Sequence, residues 1–548
     1  MPQPAARFFG AYLAMFAASM CAASQASTAP ASQSVTAAPI APADSVVALA
    51  TRIAPDDQTL WYVISLNNVS AGWMRTHTKK IDSGFRTESE TRLRMAREKK
   101  ILSMSTTAWM EEDDQGHALR GGQTQTGGGL SVRVTWESAA DGIRERRTQG
   151  AMMKERLLPA ISQDALAPVA VRRAVQAAIS AGKTNFSLLI LDPAQGVVPS
   201  QNRWQKIDGA SLLINGNSME CTRWKLTGPQ IPIGNEEWVN SNGEVVQSES
   251  PTGLGVLKNV MCDQATAMAT LEIAKPPVEV MVASFVKVDP PLSDVLNKRS
   301  LSLLVKAKKP PIMPPPQEGF QRVKRNSDGS FLVTIDLDKS AEPSQISVDS
   351  GALCLESSPI IDWKDPAVLA LKESALAQAS SNMTANSNAP PIDDKSETVF
   401  DANALRKAKA FRSAVANHII NQNLGSAFAS ASETAQSKSG DCTEHAVLLA
   451  ALLRAEGIPS RVAAGLVWAD YFAGEKNVFA WHLWTQALIN DRWVDLDATL
   501  PADGEAFHVG HVLLAITPLT DAASDPAWSS LLASMGNLSI EVSGGANK

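Results

Sequence analysis

Eight consecutive residues, Ala446 to Leu453, are apolar on every side of the helix they would form. A helix with no polar face has nothing to show to water, so it must lie inside a core with other elements packed around it. Its flanks mark it as a helix. Asp441 and Glu444 stand before it at the spacing of a capping box, and Gly457 with Pro459 stops it. Cys442 then takes the first helical position, where the helix dipole and unused backbone N–H groups favour a thiolate. The neighbouring Asp441 carboxylate opposes that effect.

The residues after this helix read as strands: Arg461–Trp468, then Ala480–Ile489 and Arg492–Asp497, the last two meeting at Asn490-Asp491. A two-residue turn there sets Ile489 against Arg492, Trp484 against Asp497 and His482 against Thr499. His482 and Asp497 then lie diagonally on one face, within side-chain reach. Asp495 falls opposite Gln486, one step further off, and a slip of one residue would exchange the faces. A thiol at a helix start, an imidazole on one strand and a carboxylate on the next are the parts of a cysteine acyl-transfer site. The expected catalytic residues are Cys442 as nucleophile, His482 as base and Asp497 as the group that orients the imidazole. His445, three residues after Cys442, competes as base but is expected to pack. His508 and His511 alone make a poor metal site. Trp481 and Trp484 either line an acyl groove or belong to the core.

The rest of the 548-residue chain is too long for a single core. Residues 1–26 carry Arg7, an apolar run Phe8–Met20 and small residues to Ala26, the pattern of a signal peptide; the run is shorter than the ~20 residues of a membrane span. Residues 27–50, rich in Ala, Ser and Pro, read as a linker. From 51 to 285 polar and apolar residues alternate in run after run, with turn signals such as Asn242-Gly243, and one helical stretch, Ser162–Ala181, interrupts them. This is a mostly antiparallel β domain with no cluster of catalytic side chains. Residues 286–350 form a smaller β segment around a proline-rich loop, 351–530 the helices and strands of the thiol domain, and 531–548 a tail. The fold class is therefore α+β. In an exported chain Cys221 and Cys262 either pair or stand as two separate thiols.

Four blocks resemble the transglutaminase-like superfamily of papain-type thiol enzymes: Gly440-Asp441-Cys442-Thr443-Glu444-His445-Ala446, Gly457-Ile458-Pro459-Ser460-Arg461, His482-Leu483-Trp484 and Asp497-Ala498-Thr499. They occur in the family's order over roughly 355–530. Gln486 and Ala498 depart from the Glu and Pro that many members carry there. The resemblance implies a Cys helix packed on an antiparallel sheet that carries His and Asp. It also implies an acyl-enzyme mechanism on protein or peptide amide bonds, that of a protease or amidase with water as acceptor, with a protein-glutamine transglutaminase using an amine as the alternative. A non-catalytic envelope binding or assembly protein is the rival reading. No cofactor and no metal are expected, and the absence of an EF-hand loop predicts metal-independent activity. A net charge of -6 argues against nucleic acid as a partner. The mature protein is expected to be periplasmic or extracellular, with no membrane span once the signal is cleaved.

Overall fold

The computed structural model describes residues 57–543 apart from 98–99, 128–129, 150–151, 195, 229–230, 253–254, 273–283, 309–312, 340–347, 386–396, 422–428, 520–530 and 532–533. The expected signal peptide and linker lie outside the described residues. The chain divides into two compact units, with the division falling between positions 279 and 280 of the sequence. Among the described residues no helix is long and apolar enough to cross a membrane.

The first unit is one fourteen-stranded sheet, every neighbouring pair antiparallel. Two meanders build it, joined where the first strand, Asp57–Leu66, pairs with the last, Gly255–Cys262. Tight turns follow from local sequence: Asn67 and Asn68 take φ of 52° and 64°, the left-handed geometry that asparagine tolerates. The helix Pro168–Ser180 lies on the apolar face and buries Val169, Ala170, Ala174, Val175 and Ala178. Val169 packs on Phe85 of the strand Gly84–Arg97, while Val175 joins Phe186 and Leu188 of the strand Asn185–Ile190. Those strands stand eight places apart in the sheet order, about 38 Å across a flat sheet. One helix about 10 Å wide can touch both only if the sheet curls around it.

Cys221 and Cys262 are both free thiols. Two strands separate the ones that carry them, beyond the ~7 Å Cα separation a disulfide spans.

The second unit holds a nine-stranded sheet. Its order runs from Gln321–Arg325 through Phe331–Asp336, Ser300–Ala307, Leu538–Val542, Val286–Asp289, Glu475–Ile489 and Ser460–Phe472 to His511–Thr517, with Arg492–Leu496 paired to Glu475–Ile489. Two expected boundaries are corrected here. The 286–350 segment is not a separate small domain, because its strands continue the sheet that carries His482. The 531–548 stretch is not merely a tail, because Leu538–Val542 sits mid-sheet, parallel to Val286–Asp289 and antiparallel to Ser300–Ala307. Its five residues are too short to read as a strand alone; both partners lie more than two hundred residues earlier in the chain. Side chains tie the same segments together. Gln321 Nε2 donates to Leu513 O at 2.9 Å, and Leu513 N donates to Gln321 Oε1 at 2.8 Å. The helices Pro366–Ala385, Glu397–His418, Ala431–Ser437 and Cys442–Ala455 complete the unit.

Candidate active site

The Cys442 helix is buried over every residue from Cys442 to Arg454. Its N-terminus is closed as its sequence requires. Asp441 accepts from Thr443 N at 2.9 Å, and Glu444 Oε2 accepts from Asp441 N at 2.8 Å. Ala429 N donates to the other Glu444 oxygen at 3.0 Å. Two strands clamp the helix from the sheet side: Thr485 Oγ1 donates to Ala446 O at 3.0 Å and Ser460 Oγ to Ala450 O at 2.8 Å. A thiol on so constrained a helix has one position.

The hairpin takes the expected register. Asn490 and Asp491 have φ of 54° and 55°, Ile489 faces Arg492, and Gln486 faces Asp495. Asp497 follows directly on this ladder, and His482 Nε2 donates to its Oδ2 at 2.9 Å. Cys442 acts on the same ring, its thiol being one of the groups that favour the charged imidazole. Asp497 Oδ1 is held separately, by Thr499 N at 2.8 Å and Thr499 Oγ1 at 2.7 Å. The three residues named from sequence therefore meet in one place. All three are buried.

A fourth residue joins them. His511 Nε2 donates to the same Asp497 Oδ2 at 3.1 Å, while its Nδ1 donates to His508 O at 2.9 Å. Phe507 stacks on His511 at 4.3 Å between ring centres, and Trp484 meets it edge-on at 5.2 Å. The sequence offered only the pair His508 and His511 as a weak metal signal. What could have found His511 is the alternation of its strand, which is invisible without knowing that this strand pairs with Ser460–Phe472. The ligand atoms of His482, Asp497 and His511 lie within 4.8 Å of one another, so among the described residues this trio is the group placed to hold a cation.

Electrostatics set the charge states. Burial by itself would lower the His482 pKa, but the Asp497 charge and hydrogen bond, with a smaller contribution from Cys442, push it up to about 10. Burial opposes ionisation of Asp497 as well, and the two imidazoles outweigh it, holding this carboxyl well below its usual range. His508, buried beside His511, is driven the other way, well below an ordinary imidazole.

Residues 394–498 match the sequence profile of the transglutaminase-like superfamily. This is a transglutaminase-like domain. The matched span of this transglutaminase-like domain contains Cys442, His482 and Asp497 and ends before His511. No curated protein matches the chain. Among solved structures it is similar to a β-barrel-like protein with a domain of unknown function from Brucella abortus (9% identity, 38% of this chain and 96% of that one, TM-score 0.30). It is also similar to a candidate cysteine protease from Cytophaga hutchinsonii (17% identity, 44% and 83% covered, TM-score 0.24). A candidate protease from Parabacteroides distasonis follows (11% identity, 71% and 68% covered, TM-score 0.16). At such TM-scores these likenesses say nothing about function.

Within the transglutaminase-like domain the remaining candidates have other work. Asp495 accepts from Trp484 Nε1 at 2.8 Å, Gln486 Nε2 at 2.7 Å and Phe320 N at 3.2 Å, and so braces the hairpin. Gln486 is a neutral bridge: its Oε1 accepts from Arg461 Nε at 2.9 Å while its amide donates to Asp495. A glutamate there would set one buried carboxylate against another, which accounts for the departure from the family pattern. His445 Nδ1 donates to Asp441 O at 2.6 Å, back along its own helix. Trp481 Nε1 donates to Ser284 O at 3.0 Å, which makes it a core residue. Sequence reasoning also missed Arg412. Its buried guanidinium donates to four carbonyls, Asp497 O (3.0 Å), Ala502 O (3.1 Å), Pro501 O (2.7 Å) and Glu505 O (3.2 Å), and fixes the loop that leaves Asp497.

Proposed function

We propose that the protein is an exported thiol hydrolase, a peptidase or amidase that acts on protein or peptide amide bonds through an acyl-enzyme at Cys442. The observation that supports this reading is the buried His482–Asp497 hydrogen bond with Cys442 acting on the same imidazole, built on a helix start and a hairpin that admit little movement. The Cys442 thiolate attacks the carbonyl carbon, and first-turn amides of its helix stabilise the oxyanion. His482 delivers its proton to the departing amine as the C–N bond breaks, leaving a thioester. It then takes a proton from water, which attacks the thioester and releases the acid and the free thiol. Asp497 holds the imidazole and balances its charge throughout.

Cys442 and His482 are almost wholly inaccessible here, so substrate reaches Sγ only after covering structure moves aside. The superfamily profile agrees with thiol chemistry, while the acceptor is set by what enters after acylation. Iodoacetamide labelling near neutral pH tests the activated thiol: wild type is expected to react at Cys442 much faster than His482→Ala, and equal rates would remove the proposal. Incubation with casein and a labelled amine tests the acceptor. Lower-mass fragments support hydrolysis, whereas amine incorporation without fragments would replace it by transglutamination.

A further inference from the structure

The curled sheet of the first unit and the helix Pro168–Ser180 enclose a cavity of about 390 Å³, within the range of small-molecule sites. Strands around it contribute at alternate positions, as Gln58, Leu60 and Tyr62 show on the first strand. Most of the wall is apolar: Leu60, Val175, Ile190, Trp204, Leu226 and Val245. Against that background the charged groups stand out, and they fall into two sets.

One set is internally balanced. Arg172 Nη1 donates to Gln58 Oε1 at 2.5 Å, and Gln58 Nε2 donates to Glu244 Oε1 at 2.6 Å, so the amide relays a cation to a carboxylate. Asn240 Nδ2 donates to the second Glu244 oxygen at 2.8 Å. Tyr62 is neutral, its hydroxyl donating to Val245 O at 2.9 Å. The other set, Glu237 and Asp192, has no counter-charge. Glu237 accepts from the Trp204 indole N–H at 3.2 Å, and Asp192 from Ala194 N at 2.8 Å; among the described residues neither has a cation within ion-pair distance. Both are only half-buried by area, because the cavity gives their oxygens room, yet they lie deep among the surrounding elements. Burial raises both carboxyl groups above their ordinary range. A buried carboxylate served by neutral donors alone is costly, and nothing in the sheet demands one. Alternation would allow an apolar side chain at position 237, between Asn235 and Val239 on the same face.

We propose that this cavity binds an amphipathic amine, its hydrocarbon body against the Leu60, Ile190 and Leu226 wall and its ammonium on the Glu237 carboxylate beside Trp204. The site is separate from the thiol chemistry and does not depend on it. An acid of equal length meets the Glu237 carboxylate there, and an alcohol gains only a neutral hydrogen bond, so the amine is preferred on charge and not on size.

Calorimetric titration of the full chain with n-octylamine, n-octanol and n-octanoate at neutral pH tests this, with Glu237→Gln and Ile190→Phe as variants. The expected result is one octylamine per chain, octanol weaker and octanoate weakest. Glu237→Gln weakens octylamine about tenfold or more and leaves octanol unchanged. Ile190→Phe, which fills the cavity, weakens amine and alcohol alike. Octanoate binding as tightly as octylamine, no saturable binding of any probe, or an undiminished amine preference in Glu237→Gln overturns the proposal. If Glu237→Gln fails to fold, the order of the three probes on wild type still decides.

Discussion

Asp497→Asn is the substitution that isolates the charge at the centre of the thiol site. Asparagine keeps the shape and an acceptor for His482 Nε2 but removes the negative charge that raises the imidazole. A rise from 6.5 to about 10 corresponds to about 5 kcal/mol of preference for the imidazolium in the fold. The sign follows from linkage. His482 has its folded pKa above its unfolded one, so its stabilisation is complete below about 6.5 and is lost as pH climbs towards 10. Between pH 7 and pH 9 the loss is about 2.7 kcal/mol, at about 1.4 kcal/mol per pH step. In Asp497→Asn this slope disappears, because burial is then the dominant influence and pushes the imidazole down. Two measurements check it. With ¹³Cε1-labelled histidine, the wild-type His482 resonance should titrate near pH 10 and the variant's at or below ordinary imidazole values. Urea unfolding at pH 7 and pH 9 should show the slope in wild type alone; titratable groups elsewhere contribute equally to both proteins and cancel. A wild-type His482 that titrates near 6.5, or a variant that titrates like wild type, would refute the coupling.

His511→Phe keeps the ring packing on Phe507 and Trp484 but frees Asp497 Oδ2 for His482 alone, so the His482 midpoint should rise in the same NMR titration while stability falls by about 1–3 kcal/mol. Arg412→Met leaves four buried carbonyls without their donor and should cost about 3–5 kcal/mol in urea unfolding, with iodoacetamide labelling of the surviving folded protein slowed. Gln486→Glu should destabilise by about 1–3 kcal/mol at pH 7, and the deficit should shrink in mild acid as the new carboxyl is protonated. Dialysis against a chelator should leave the Cys442 labelling rate unchanged; a change reversed by zinc would instead assign His482, Asp497 and His511 to a metal.

The thiol site was legible because its parts are local. A capping box and an all-apolar helix put Cys442 at a helix start, and a two-residue turn sets His482 beside Asp497, each acting over a few residues, while the packing of that helix on the hairpin brings the two together. The alternation of residues 57–262 likewise announces an antiparallel sheet, since a two-residue period belongs to the strand itself. Distance in the chain is what hid the remainder. His511 reaches Asp497 only because its strand pairs with Ser460–Phe472, and Arg412 meets the 497–505 loop from a helix some ninety residues away. Leu538–Val542 becomes a central strand through partners that no local pattern names. Glu237 shows the same limit in the first unit. In sequence it is one acidic residue in an alternating strand, and only the curl of fourteen strands around a helix turns it inward to a cavity. The chain by itself determined which residues could react and which segments would be helix or strand, because those depend on period and capping. Tertiary structure decided what shares Asp497, what holds it and what the first unit encloses, because each depends on strands and helices that meet from far apart in the chain.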